Sequence, residues 1–513
     1  MRLERSGTTP KPTDGSEPEV LPASAKVAYG LTNAGSQFLA GLGLGAIDLF
    51  YLKATPIDPL VMSWSWMAFI AWNMLNDPLI GILQERTKSK LGRRVPYLRY
   101  GSIVYVVSFL LIWFPTSVKS LLFWNHFFML FTFDTIYSTI GLVTYSLPAE
   151  MAVTSKERGK LMTISAGLSS IGVVGSILLP LHYLTDPPDV GGFRVAVVVL
   201  GIGAGVLIYA SSYFIKENAY AQMEGALGFV ESIKETVKNK PFLVLEVAIF
   251  AMVVMQNTVV GNLAFLADYV FTFEFNALNV ALFAALVLIV GYSVAWVNRG
   301  IAKYGLKRVT IWGALLGAAG FGLLALVALP RGVTAANKLD FSVVALPLGL
   351  VAVGLINYMI TNQPLMADAI DYDETRTGKR RETTYSGVNA LFTKPAVSIG
   401  HALFLWILKA YGYVEGDVGV PAPPPSQQPA TVATGVVLGF TLVPFVCLLI
   451  GALALRWYSL DGPEWDATKA RLREVHAKKE RKFLESLGKG ETGTRGSRVG
   501  GDVAAEGGGG GPG

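Results

Sequence analysis

The chain has 513 residues, of which 52% are hydrophobic and only 16% charged, and its formal net charge is +6. Soluble domains carry about 25% charged residues, so the composition excludes an ordinary soluble protein, and the lone Cys447 excludes an internal disulfide. The basic residues lie in short loops between apolar runs, where they orient spans, and so they do not mark a nucleic-acid surface. Residues 1–24 are polar and rich in Pro, Ser and Thr, which reads as a disordered cytoplasmic tail and not a cleaved signal. Mostly apolar segments, each long enough to cross about 30 Å of hydrocarbon, follow at 26–52, 58–84, 97–115, 118–148, 159–183 and 192–215. A second set lies at 241–271, 276–297, 307–329, 341–371, 383–413 and 430–457. Residues 459–487 read as a charged cytoplasmic surface helix, and 488–513 as a disordered Gly-rich tail.

The loops set the orientation. On the side of the tails they carry Arg86, Lys88, Lys90, Arg93 and Arg94, then Lys156, Arg158 and Lys160, and later Arg376, Lys379, Arg380 and Arg381. The opposite loops hold only Lys53, Lys119, Arg194, Arg331 and Lys338. This asymmetry places both termini in the cytoplasm, with the cell membrane as the expected location. The halves also echo each other: Lys90-Leu-Gly-Arg-Arg94 follows the second span and Tyr304-Gly-Leu-Lys-Arg308 the eighth. The expected architecture is thus an all-α membrane protein, with twelve transmembrane helices in two pseudo-symmetric six-helix bundles, the major facilitator plan. The bundles would span 25–215 and 241–458, joined by a cytoplasmic loop at 216–240.

The second span carries an acid, Asp77, where hydrocarbon belongs. A charge there costs about 2.5–3.5 kcal/mol even on lenient scales, so such residues are functional by default. Asn73 stands one turn before Asp77 on the same helix face, and Pro78 frees the carbonyl of Met74. The three together supply the oxygen donors that hard cations take. Asp134 in the fourth span and Lys394 in the eleventh are the other mid-membrane charges, and the three should share one cavity. A fixed ion-pair network is the bland alternative. Polar side chains that could line a substrate cavity include Asn33 and Gln37, Tyr137, Asn362 and Gln363, and Asn389; for each, bonding between helices is an equal alternative. Glu85, Arg86, Arg93, Arg94, Glu150, Asp368, Asp371 and Arg380 sit at the cytoplasmic helix ends, where paired charges could hold that side shut. His126, His182, His401 and His476 show no metal-ligand spacing, no segment reads as a strand, and no glycine loop cradles a phosphate. No cofactor is expected.

Three ordered motifs resemble the glycoside-pentoside-hexuronide:cation symporter family in its melibiose-carrier-like form. They are Asn76-Asp-Pro-Leu-Ile-Gly81 with Thr87-Lys-Ser-Lys-Leu-Gly-Arg-Arg-Val-Pro96, then Tyr145-Ser-Leu-Pro-Ala-Glu-Met151 with Lys156-Glu-Arg158, and Ala367-Asp-Ala-Ile-Asp371 through to Lys394. The resemblance implies that Asp77 and Asp134 help hold the coupling cation and that Lys394 is the family's membrane lysine. A further family acid falls on Asn73 and another on Phe69. A sugar-gripping acid falls on Gln37, and a sugar-clamping arginine on Ala166. It therefore implies symport of a sugar-like solute with Na+ or H+ by alternating access, by a monomer in the bilayer. A lysolipid or similar amphiphile as cargo, and a non-transporting receptor or scaffold, are the competing expectations. An enzyme is the least expected.

Overall fold

The computed structural model describes residues 21–475 except 88, 153, 154, 186, 217–235, 275, 379, 380 and 473. The expected 1–24 tail, the 216–240 loop, the end of the 459–487 helix and the Gly-rich tail therefore lie largely or wholly outside the described residues. The described residues from 466 onward, 466–475 except 473, belong to a unit separate from Leu21–Trp465. Its described part is helical, with Lys469 3.6 Å from Asp466 one turn away.

The unit Leu21–Trp465 is built from long helices. They are α1 (Ala23–Gly45), α2 (Ile47–Ala54), α3 (Pro59–Arg86), α4 (Val95–Ile112), α5 (Leu122–Met151), α6 (Ser155–Tyr183) and α7 (Val190–Ser211). The second half gives α8 (Lys240–Tyr269), α9 (Ala277–Tyr304), α10 (Leu306–Ala328), α11 (Phe341–Thr377), α12 (Glu382–Ala410) and α13 (Ala430–Leu455). Among the described residues, 10 helices are long and apolar enough to cross a membrane, and 11 if α1 and α2, bent by 48°, count as one span. The remaining long helix is α3, whose Ser63, Ser65, Asn73, Asn76, Asp77 and Gln84 make it too polar for that test. It lies where the second span was expected. No strand was expected, yet β1 (Phe271–Thr272) pairs in parallel with β2 (Leu339–Asp340). A pair of two-residue strands in loops is too short to leave an alternating pattern in sequence.

Local chemistry sets where the helices start and stop. The carboxylate of Asp58 accepts the amide of Leu60 at 2.7 Å just before Pro59 opens α3. Asp189, Asn239, Asn276 and Asp340 cap α7, α8, α9 and α11 in the same way. Gly378 ends α11 in the left-handed conformation, φ +71°.

The packing repeats between the halves. α1 packs on α6 and α7, α3 on α5, and α4 on α5 and α7. In the same order, α8 packs on α12 and α13, α9 on α11, and α10 on α11 and α13. Small residues let the backbones approach: a Cβ at Gly172 would lie 2.1 Å from the carbonyl oxygen of Ala34, and one at Gly354 2.6 Å from Cα of Gly317. Large apolar side chains such as Ile171 on α6 and Leu288 on α9 are left exposed, as a helix bathed in lipid requires. The halves meet chiefly where α3 runs along α12, and that seam carries the candidate site.

Candidate functional site

The ammonium of Lys394 projects from α12 across the seam into the first half. Its Nζ lies 3.1 Å from Oδ1 of Asp77 on α3 and 3.6 Å from Oδ1 of Asp134 on α5. It donates to Ser138 at 2.7 Å and to Asn76 at 3.5 Å, and stands 5.9 Å above the ring of Tyr137. Asn76, fully buried, turns its amide nitrogen to the second oxygen of Asp134. Asn73 donates to the carbonyl of Lys394 at 3.2 Å, while its own side-chain oxygen is buried without a partner. Pro395 follows Lys394, so the carbonyl of Leu391 has no amide at the usual place in the helix.

The structure thus brings Asp77, Asp134, Asn73, Tyr137 and Lys394 to one place. Asn76 and Ser138 were not singled out from sequence. Both were reachable, Asn76 as the neighbour of Asp77 and Ser138 one turn beyond Asp134 on the same face. With both acids and the amine ionised the cluster carries a charge of −1. One ammonium cannot neutralise two carboxylates, and a low-dielectric interior makes that residual charge costly. The arrangement can therefore take up one cation or one proton, and the incoming charge must compete with Lys394 for the same oxygens.

The other expected cavity residues divide into two groups. Gln37 and Gln363 are exposed, and the amide oxygen of Asn362 is buried without a hydrogen-bond partner, so these three have polar atoms to offer. Asn33 instead donates to the carbonyl of Tyr29 in its own helix at 3.0 Å. The side-chain amide of Asn389 faces the carboxylate of Glu246, and with its nitrogen on that side the two groups are 3.0 and 3.2 Å apart. Glu246 on α8 is itself almost fully buried, and it went unremarked in the sequence because it stands only six residues past Lys240, among loop-side charges.

Of the expected gate, Arg380 and the side chain of Glu85 lie outside the described residues. Arg86 is exposed, and in α11 Asp368 is buried and Asp371 half-buried. Arg94 and Arg93 reach Glu150 at 3.2 and 3.4 Å, and Arg94 donates to Gln84 at 2.8 Å. These contacts stay inside the first half, as does Arg381 with Asp373 (2.6 Å) inside the second. Besides the Lys394 contacts, further ion pairs that cross between the halves lie at the other face, opposite the start of α1. There Lys53 of α2 pairs with the buried Asp268 of α8, and Asp48 of α2 lies 2.7 Å from His401 of α12. Lys409 meets Asp58, and in the loops Lys119 lies 3.6 Å from Asp417. The amide of Val418 and then Lys119 hold Asp417 below the usual carboxylate range. Charge spacing in sequence located both kinds of loop but not which face was tied, because that depends on how the halves are tilted.

The sequence model of the family described as MFS/sugar transport protein matches residues 22–462. The chain is 21% identical over 466 residues to the isoprimeverose transporter of Lactiplantibacillus pentosus, covering 89% of this chain and 93% of that protein. It is 23% identical over 466 residues to the inner membrane symporter YicJ of Escherichia coli (strain K12), covering 86% and 93%. Among solved structures it resembles a bacterial homolog of the human lysosomal transporter Spinster, in an inward-facing and unoccupied conformation. That match has a TM-score of 0.56 at 12% identity and covers 89% of this chain and 99% of that one.

Proposed function

Since the chain belongs to the MFS/sugar transport protein family and is a multi-pass membrane transporter, we propose that it moves a sugar- or glycoside-sized solute together with a cation, Na+ or H+, by alternating access. The observation that carries this reading is the ammonium of Lys394 held between Asp77 and Asp134. The acids belong to the first half and the amine to the second. A cation seated on Asp77 and Asp134, with the free oxygen of Asn73 beside them, displaces the ammonium and loosens the seam at its middle. Gln37, Asn362 and Gln363 offer polar atoms to the solute, with Tyr137 as a ring to stack on it. One chain supplies every group, so the working unit is a monomer.

In the proposed orientation both termini are cytoplasmic in the cell membrane, because the basic loops lie on their side. The face tied by Lys53–Asp268, Asp48–His401 and Lys409–Asp58 is then external, and the conformation is closed to the outside. Residues 25–215 and 241–458 act as the two rocking bundles.

Uptake into proteoliposomes, driven by a Na+ or a pH gradient and screened over glycosides, tests the reading. Accumulation above equilibrium with one gradient, abolished by Asp77→Asn, is expected. No accumulation with either gradient, or full accumulation by Asp77→Asn, would reject it.

A second reading, carriage of an amphiphile such as a lysolipid, is favoured by one observation. By the symmetry that pairs α3 with α12, α6 should pack along α9, yet they share no such seam, and both expose apolar side chains such as Val174 and Phe283. Including lysolipids in the uptake screen separates the two readings.

A further inference from the structure

A second buried cluster of titratable groups lies nearer the tied face and takes no part in the proposed cation site. Asp48 of α2 is 1% exposed. Its carboxylate accepts from Nε1 of Trp66 on α3 at 2.8 Å and from Nδ1 of His401 on α12 at 2.7 Å. Nε2 of His126 on α5 lies 3.9 Å from its Oδ1. The ring of His401 is stacked on Trp66, with centroids 4.2 Å apart and planes 8° from parallel. From α8, Gly261 presses on the same ring, and a Cβ there would fall 2.8 Å from Cε1. His401 therefore sits in a built slot.

Two features show a place for a proton. Among the described residues no Lys or Arg lies within ion-pair distance of Asp48, whose ion-pair partners are the two imidazoles. In addition, the hydroxyl of Ser65 lies 2.7 Å from the carbonyl of Met62 and is also in hydrogen-bond contact with Nδ1 of His126, so that Nδ1 already has a partner. Nε2 of His126 is buried without a hydrogen-bond partner and faces the Asp48 carboxylate 3.9 Å away, where a proton on that nitrogen would lie between the two. The surroundings add no free charge. α3 contributes Ser65 and Trp66, α8 contributes Gly261, and Tyr51 of α2 touches the His126 ring while donating to Asn125. Beyond them, Lys53 is paired with Asp268, and Lys409 with Asp58 and Glu415.

We propose that Asp48, His126 and His401 form a proton-binding site that is filled while this face is sealed and emptied when the face opens. The proposal rests on alternating access as the way the chain works. A carboxylate shut away from water with no cation beside it is strongly disfavoured, so the sealed cluster holds a proton on an imidazole. Opening carries His401 away with the second half and lets water reach both sides. The exposed carboxylate stays ionised, and an exposed imidazole gives up its proton above about pH 6.5. The sealed state thus binds more protons than the open one. By linkage, acid favours sealing, and the open-to-sealed ratio rises by up to about tenfold per pH unit above that value.

The test uses the full-length Cys447→Ser protein in lipid nanodiscs, with spin labels at Val118→Cys and Val418→Cys. Both positions are exposed in loops at the sealed face, one in each half. Distances between the labels are read by pulsed electron paramagnetic resonance from about pH 5 to about pH 9, without solute or ion gradient. The separated population is expected to grow with pH. H126Q/H401Q, which keeps hydrogen-bonding groups but cannot take the proton, should lose that growth. Asp48→Asn, which removes the charge and keeps the shape, should flatten it too and decides the matter if the double variant does not fold. A distance distribution that ignores pH in the parent protein, or a pH response that survives H126Q/H401Q or Asp48→Asn, would overturn the proposal. Because no uptake is measured, an error about the cargo would leave this result intact. Normal uphill uptake with no pH response would remove this proposal alone.

Discussion

Nζ of Lys394 on α12 stands 3.1 Å from Oδ1 of Asp77 on α3, and this one contact joins an amine of the second half to an acid of the first near the middle of both helices. Removing the amine strands two carboxylates. Lys394→Met should cost about 3–5 kcal/mol, the range for breaking a buried ion pair by deleting one partner. Adding Asp134→Asn to Lys394→Met should recover part of the loss, because the remaining acid is then alone. Thermal unfolding in detergent reads both. An unchanged Tm for Lys394→Met would mean that water already reaches the pair.

Asn73 keeps its side-chain oxygen buried and unbonded one turn from Asp77. Asn73→Asp would place a third carboxylate beside the proposed cation site. Sodium stimulation of uptake at fixed pH should then half-saturate at a roughly tenfold lower concentration, which is about 1.4 kcal/mol of added attraction. No shift in the sodium titration would place Asn73 outside the ion's reach.

Gly172 of α6 faces the backbone of α1, where a Cβ would fall 2.1 Å from the oxygen of Ala34. A backbone atom cannot swing aside as a long side chain can. Gly172→Ala should therefore destabilise the first half by about 1–3 kcal/mol, the usual penalty of overpacking. Gly167→Ala on the same helix, with nothing within 4 Å of the added carbon, should leave the unfolding temperature close to that of the parent.

Half-buried Lys53 and buried Asp268 bridge α2 and α8. Lys53→Met leaves Asp268 without that cation and should weaken the tied face. Hydrogen–deuterium exchange should quicken at the ends of α2 and α8, near residues 50–58 and 264–270, while α10 and α11 keep their parent rates. Equal exchange in both proteins would show that this pair does not hold the face.

The fold was legible in unusual detail because a bilayer imposes simple rules. A span must be about 20 apolar residues long and satisfy its own backbone, so α4 to α13 start within four residues of where hydropathy puts them, although α9 and α11 run seven and six residues further. Asp77, Asp134 and Lys394 stood out for the same reason, since each is conspicuous in a run of hydrocarbon. The expected gate residues were legible only as a set. Arg94 could be placed at a helix end from sequence, but its pairing with Glu150 within one half required the packing of α3, α4 and α5. Residues whose partners are local, such as Asn33 bonded one turn back to Tyr29, gave no sign of it, because a free and an engaged amide have the same sequence.

The sequence by itself determined that the chain is a helical protein of many membrane spans, roughly where most of those spans run, and the three charges of the seam, since each follows from the cost of putting a polar group into oil. Only the tertiary structure decided that Lys53 meets Asp268 across the halves, that Glu246 is a buried acid beside Asn389, and that Asp48 meets His401 from 353 residues away. The physical reason is that hydropathy constrains each helix along its own axis. Which of its faces meets which neighbour depends on rotation and tilt, and these are set by glycine contacts such as Gly261 against His401, distributed over both halves.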